Sequence, residues 1–276
     1  MLGKLLKYEL KSSARTLIPL YIGILILSIV CGVFFATQIQ DFMYSDNMSL
    51  FFGILYMLLF ALLVAMGVLT VVSIIQRFYK NLLGDEGFLM FTLPVSSTTL
   101  LLSKMLSAML WIIASSVVGA LSMMITMFIP LFFSGELYIT WSDFVYFMQL
   151  SWESLANVPA LPTFIFQLLL GGFITIIVTI LMAYVSMMIG QLQPFSRHQI
   201  IVSFIAFFLI GWAFSTLYAL LPFNDISYNF ITVTDTSVSG LEGLTKAFWI
   251  PLIESIVQAV ILFVGTDWLM KHKLNL

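Results

Sequence analysis

RFYKNLLGDEGFLMFTLPVSSTTLLLSK, residues 77–104, is the one substantial island of charge between two long apolar runs. Three cations (Arg77, Lys80, Lys104) and one acidic pair (Asp85, Glu86) fall within it. The helix entering from Val71–Gln76 should run through Leu83 and stop at Gly84, which suits the left-handed conformation of a C-terminal cap. Asp85 then caps a second, short helix, with Glu86 near its positive end. That helix presents Phe88, Leu89 and Phe91 until Thr92-Leu93-Pro94 ends it, because the residue before a proline is pushed out of helical geometry. Ser96 to Thr99 offer N-cap oxygens for the next run. A short helix with an aromatic face, held between two membrane spans, is suited to dock something outside the membrane.

The surrounding composition demands those spans. Of 276 residues, 61% are hydrophobic and 9% charged, against roughly 25% charged in soluble domains. This is a membrane protein throughout, not a soluble domain with an anchor. No basic patch exceeds what a membrane orientation signal needs, which argues against a nucleic-acid partner. The single Cys31 lies inside an apolar run, where a packed thiol is expected and no intrachain disulfide is available. No small-residue cleavage site follows the first apolar run, so a cleaved signal peptide is not expected.

Residues 1–16 carry Lys4, Lys7, Lys11 and Arg15 at helical spacing on one face, and Leu2, Leu5, Leu6 and Leu10 on the other. They read as an amphipathic helix lying on a membrane. Six apolar segments follow, near Leu17–Ala36, Leu50–Gln76, Thr99–Phe133, Thr163–Leu192, Ile200–Leu221 and Ala247–Met270. Each has at least the ~20 residues needed to cross a bilayer. The third is too long for the hydrocarbon core and must tilt, bend or project, with Pro130 bending its outer end. An N-terminus inside the cell puts ten of the eleven basic residues on the cytoplasmic side and most acids outside. Only Lys246 lands outside, so both ends are expected in the cytoplasm. The expected fold is an all-α polytopic membrane protein, a single domain over residues 1–276, with a cytoplasmic loop at 77–98.

Two outer loops have character of their own. Asp143–Leu155 sets Phe144, Phe147, Met148, Trp152 and Leu155 near one face, which fits an interfacial helix flanked by Trp141 and Trp152. Pro159 and Pro162 break it before the fourth span. Pro222–Leu244 is polar and reads as a lid or a re-entrant element.

Chemistry is sparse. Gly240-Leu-Glu-Gly-Leu-Thr-Lys246 lacks the spacing of a phosphate-binding loop, so any ATP must be hydrolysed by a partner. His198 and His272 sit at membrane edges, and no nucleophile–base pair or metal-ligand cluster is evident, so neither a catalytic nor a metal site is expected. Asp267 and Lys271 suit an i,i+4 ion pair. Glu254, beside Ser255 and Gln258, is an ionisable residue within a span and by default a functional one. Glu254 and Gln258 either line a substrate path or hydrogen-bond between helices; outer-edge snorkelling of Glu254 is the bland alternative. Gly171-Gly172 and Ser115-Ser116 read as small residues that let helices approach.

In the order of its parts the chain resembles the permeases of the ABC transporter superfamily, type-2 exporter class. A basic N-terminal segment precedes six spans, with the principal loop between the second and third. The Asp-Glu-Gly-Phe and Thr-Leu-Pro-Val portions of that loop, with Leu102-Ser-Lys104 after it, are similar to those of small bacterial permeases. The resemblance implies that Arg77, Lys80, Asp85, Glu86, Gly87, Phe88, Thr92, Leu93 and Pro94 belong to a coupling helix and its flanks, docking a separate ATPase. It implies that Lys4, Lys7, Tyr8 and Lys11 form an elbow helix. It also implies two ATPases and a second permease, identical or paralogous, in a bacterial cell membrane. ATP and magnesium would then sit on the partner, with no cofactor on this chain. A sensor or assembly protein that docks a partner through the same loop, and transports nothing, is the alternative. A reporter fused after Leu276 is expected to read cytoplasmic, and an external reading would overturn the six-span topology.

Overall fold

Hydrocarbon offers no water to backbone N–H and C=O groups, so a spanning segment must satisfy them within itself, as a helix does. A computed structural model describes residues 2–44, 46–80, 97–133, 140–158, 160–192, 198–220 and 237–272. Among these are seven helices: α1 (Leu2–Tyr44), α2 (Asp46–Phe78), α3 (Ser97–Phe133), α4 (Trp141–Ala156), α5 (Leu161–Gly190), α6 (Gln199–Leu220) and α7 (Ser237–His272). All but α4 contain a stretch long and apolar enough to cross a membrane. The protein is therefore a multi-pass membrane protein, all-helical among the described residues.

The six stretches fall where the apolar runs place them, with one difference at the start. Residues 2–16 are helical but form no separate element: α1 runs for 43 residues without a break. The physical reason is a buried stripe that carries straight through. Glu9, Ser13, Leu17, Tyr21, Ile24, Ser28 and Cys31 recur at three- and four-residue spacing and are all buried. Lys7, Tyr8, Lys11 and Arg15 lie on the exposed side of the same helix. At 1.5 Å per residue α1 is about 65 Å long, so part of it must lie outside a hydrocarbon core of about 30 Å. Helix also takes up most of the outer turn expected after the first span, since α1 ends at Tyr44 and α2 begins at Asp46. α3 continues through Pro130 to Phe133, and α7 begins at Ser237, within the polar segment expected as a lid.

α4 is the short helix that the Trp141–Trp152 pattern predicts, and none of its residues is buried. Its start is closed by a reciprocal cap. The Thr140 hydroxyl donates to Asp143 Oδ2 at 2.6 Å and accepts the Asp143 N–H at 3.3 Å, while the Thr140 N–H donates to Oδ2 at 2.9 Å. The hydroxyl bond first, and the backbone bond second, hold the Asp143 carboxyl below its ordinary range.

The chain divides into two compact units. The first comprises residues 4–74 and 110–152. Its core joins Leu17, Tyr21 and Ile24 of α1 to Met66 of α2, with Trp111, Ala114 and Val118 of α3 packed against them. A relay of hydroxyls runs through this core. Tyr21 Oη lies 2.7 Å from Ser115 Oγ, Ser115 Oγ lies 2.8 Å from Thr70 Oγ1, and Thr70 donates to the Met66 carbonyl at 2.7 Å. If Tyr21 donates to Ser115 and Ser115 to Thr70, each hydroxyl has a partner and three helices are tied together. Gly32 matters here: a Cβ on it would come within 3.0 Å of Ile129, so glycine permits the close crossing of α1 and α3. Cys31 is fully buried, with Sγ 4.0 Å from the Leu55 carbonyl. Phe128, Phe132, Trp141 and Phe144 pack ring on ring at the end of α3 and the start of α4.

The second unit comprises residues 1–3, 75–109 and 153–276. α5 is its centre, with α6 and α7 each packed along it. Tyr184, Leu181 and Met188 of α5 are almost fully buried. A Cβ on Gly190 would fall 2.6 Å from the Gln199 carbonyl oxygen, so the end of α5 and the start of α6 meet this closely because residue 190 has no side chain. At Gly171 and Gly172, by contrast, a Cβ would meet nothing within 4 Å. The close approach expected at that pair is not made within the described residues.

Ser115 and Ser116 are adjacent but differ in environment, which gives a test. Ser116 is exposed and bonds only back to the Ile112 carbonyl. Ser115→Ala is expected to lower stability in detergent by about 1–2 kcal/mol, read as thermal unfolding. Ser116→Ala should stay within about 0.5 kcal/mol of the parent.

Candidate functional site

Glu254 lies on a stripe of α7 formed by Ile250, Ile253, Glu254, Val257, Gln258 and Ile261, positions three and four apart that share one face. Elsewhere along α7, Ala247, Leu252, Leu262 and Thr266 are buried. Phe214, Leu217 and Tyr218 of α6 face the stripe, and a half-open slot of about 230 Å³ lies between the two helices. Its wall is apolar except for Tyr218, Glu254 and Gln258.

Gln258 Nε2 donates to Glu254 Oε1, an i,i+4 contact along the helix. This pair is intrahelical and lines a cavity, so of the roles expected for Glu254 the hydrogen bond between helices is not made among the described residues. Ser255 points its hydroxyl to the Pro251 carbonyl at 2.8 Å. Pro251 has no N–H to give the Ala247 carbonyl, so α7 loses one backbone bond a turn before the carboxylate.

α7 is held on α5 by a polar residue that pattern reading passes over. Gln167, fully buried, donates from Nε2 to the Thr245 carbonyl at 2.8 Å, while its Oε1 has no hydrogen-bond partner. A Gln near the start of the apolar run Thr163–Leu192 was the available signal. Its burial depends on α5 lying between two other helices, which the run by itself does not state.

At the other end of this unit, the last turn of α2 is fastened to α5 and α6. Phe78 stacks on Tyr184 with ring centroids 3.8 Å apart and planes 12° from parallel, both rings about 1% exposed. The Tyr79 hydroxyl donates to Gln199 Oε1 at 2.5 Å. Arg77 is half-buried and Lys80 exposed at this end, and Lys104 of α3 is buried. Asp85, Glu86, Gly87, Phe88, Thr92, Leu93 and Pro94 lie outside the described residues, as does the side chain of Lys4. Asp267 and Lys271 form the expected ion pair, Nζ to Oδ2, at 2.5 Å.

No family model, curated protein or solved structure matches this chain.

The Phe78–Tyr184 stack is expected to anchor the end of α2. Phe78→Ala should cost about 3–5 kcal/mol through the cavity it leaves. Tyr79→Phe, which loses one exposed hydrogen bond, should cost under about 1 kcal/mol. Chemical denaturation of the two variants in detergent separates these outcomes.

Proposed function

We propose that the protein is the membrane subunit of an ATP-driven exporter, working with a separate cytoplasmic ATPase. The observation that carries this reading is the slot between α6 and α7. Six apolar helices need no carboxylate to be stable, yet Glu254 is kept at the wall of a cavity and not packed away, at the cost that an ionisable group incurs in a span. A groove of this kind gives a hydrophobic or amphipathic cargo a place to be held.

The coupling side of the reading rests on the charged stretch 77–104 and its similarity to exporter permeases. Its two flanks, Ile75–Phe78 and Ser97–Met109, belong to the same compact unit as the slot. A push on the 81–96 segment by an ATPase would reach α5 through Phe78–Tyr184 and α6 through Tyr79–Gln199. In this reading the orientation is the one set by the Lys and Arg bias, with residues 77–104 in the cytoplasm of a bacterial cell. The basic start of α1 lies at the same membrane face, as an elbow that extends the first span. A second permease, identical or paralogous, completes the path. ATP and magnesium are bound by the ATPase, and this chain contributes no catalytic group.

Affinity purification of the full chain in mild detergent, with retained proteins identified by mass spectrometry, tests this. A stoichiometric ATP-binding subunit is expected, and Phe88→Asp should release it while membrane insertion is unchanged. Recovery of the chain without any ATPase, or ATP-driven export that survives Phe88→Asp, would overturn the proposal.

A further inference from the structure

The slot between α6 and α7 has a shape and a chemistry that together select a ligand class. Its lining on α7 runs from Ile250 to Ile261, about 17 Å along the helix axis, yet its volume is only about 230 Å³. That is below the roughly 300–1,000 Å³ of pockets that take compact, drug-sized molecules. A narrow, half-open slot walled mostly by apolar side chains fits a flexible chain.

The polar pair, which lies part-way along the α7 wall of the slot, is more specific. Among its lining residues Glu254 is the one carboxylate, and no Lys, Arg or His accompanies it. Gln258 occupies Glu254 Oε1; Glu254 Oε2 and Gln258 Oε1 have no hydrogen bond among the described residues. Two acceptor oxygens and an uncompensated carboxylate in a low-dielectric site call for a donor that also brings positive charge. From Glu254 to Ile261 the same face continues for about 10 Å, with apolar Val257 and Ile261 on it.

We propose that this slot binds a membrane amphiphile with a cationic amine headgroup, the ammonium at Glu254 and Gln258 and the chain along Leu217, Val257 and Ile261. As a binding site it stands on this geometry; as a cargo site it rests on the exporter reading above. No covalent step is involved. The slot is half-open and lies between two helices that each hold a spanning stretch, so in this proposal the ligand enters from the bilayer between α6 and α7.

The test uses the full chain in phosphatidylcholine nanodiscs and three photoreactive probes with the same diazirine-bearing alkyl chain: a primary amine, an alcohol and a sulfate. Labelled peptides are mapped by mass spectrometry. The amine is expected to label both α6 and α7 at the slot at least about tenfold more than the sulfate, with the alcohol between them. In Glu254→Gln, amine labelling should fall to the level of the alcohol. Because the three-probe comparison is made on the unaltered protein, it decides the matter even where the variant does not fold. Equal labelling by all three probes would overturn the proposal and leave a slot that takes lipid chains without regard to charge. Labelling confined to other helices, or cross-links from the slot to a second copy of the chain, would also overturn it. Copurification of the ATPase is scored separately: an amine-selective slot without an ATPase retires the exporter reading and keeps the site, and the converse result retires the site alone.

Discussion

A polar atom in hydrocarbon has no water to turn to, and leaving it unpaired costs several kcal/mol. For the backbone this leaves the helix as the local solution. For side chains it leaves few places: a carbonyl one turn back, a partner on a neighbouring helix, or a cavity. All three occur here. Thr175, Thr179 and Thr216 bond to carbonyls of their own helices. Tyr21, Ser115 and Thr70 satisfy one another across three helices. Glu254 and Gln258 pair along one helix and face open space. The first arrangement is local, the second fixes which helices are neighbours, and the third leaves chemistry available to a ligand.

The placement of that chemistry follows from α5. Because α6 and α7 both pack along it, each presents a flank that α5 does not cover, and the slot forms between those flanks. Gly190 brings the start of α6 tight against the end of α5, and Gln167 fastens α7 to α5 near Thr245. The Phe78–Tyr184 stack ties the last turn of α2 to the same central helix. A load applied at the end of α2 thus has a packed route to the helix on which both walls of the slot rest.

The first helix illustrates how a strong local pattern can be read correctly without marking where an element ends. Lys7, Lys11 and Arg15 do lie on an exposed face, as their spacing requires. Leu5, Leu6 and Leu10 are half-buried, and the buried stripe that begins at Glu9 and Ser13 runs on to Leu17 and beyond, so burial does not stop where the charges do. Amphipathic periodicity marks a face; it does not mark an end unless a cap or breaker accompanies it, and Pro19 alone does not interrupt α1. The residues between α1 and α2 make the same point, since polar composition there coexists with helix up to Tyr44 and from Asp46.

The sequence by itself determined the six apolar stretches long enough to span, the short helix at Trp141–Ala156 and the Asp267–Lys271 ion pair. Each depends on contacts within a few residues, or on the thickness of a bilayer, and so can be read from a window of the chain. It also marked Glu254 as anomalous, because a carboxylate among apolar residues is visible without any fold. Only the tertiary structure decided that Glu254 and Gln258 line a slot with Leu217 and Tyr218, that Ser115 and not Ser116 joins the hydroxyl relay, and that Gln167 is buried against Thr245. Those facts depend on which helices lie side by side. With lipid tails as apolar as the side chains they touch, hydrophobicity drives residues into the membrane without choosing their neighbours, and that choice falls to close packing and to the few polar pairs that the bilayer compels.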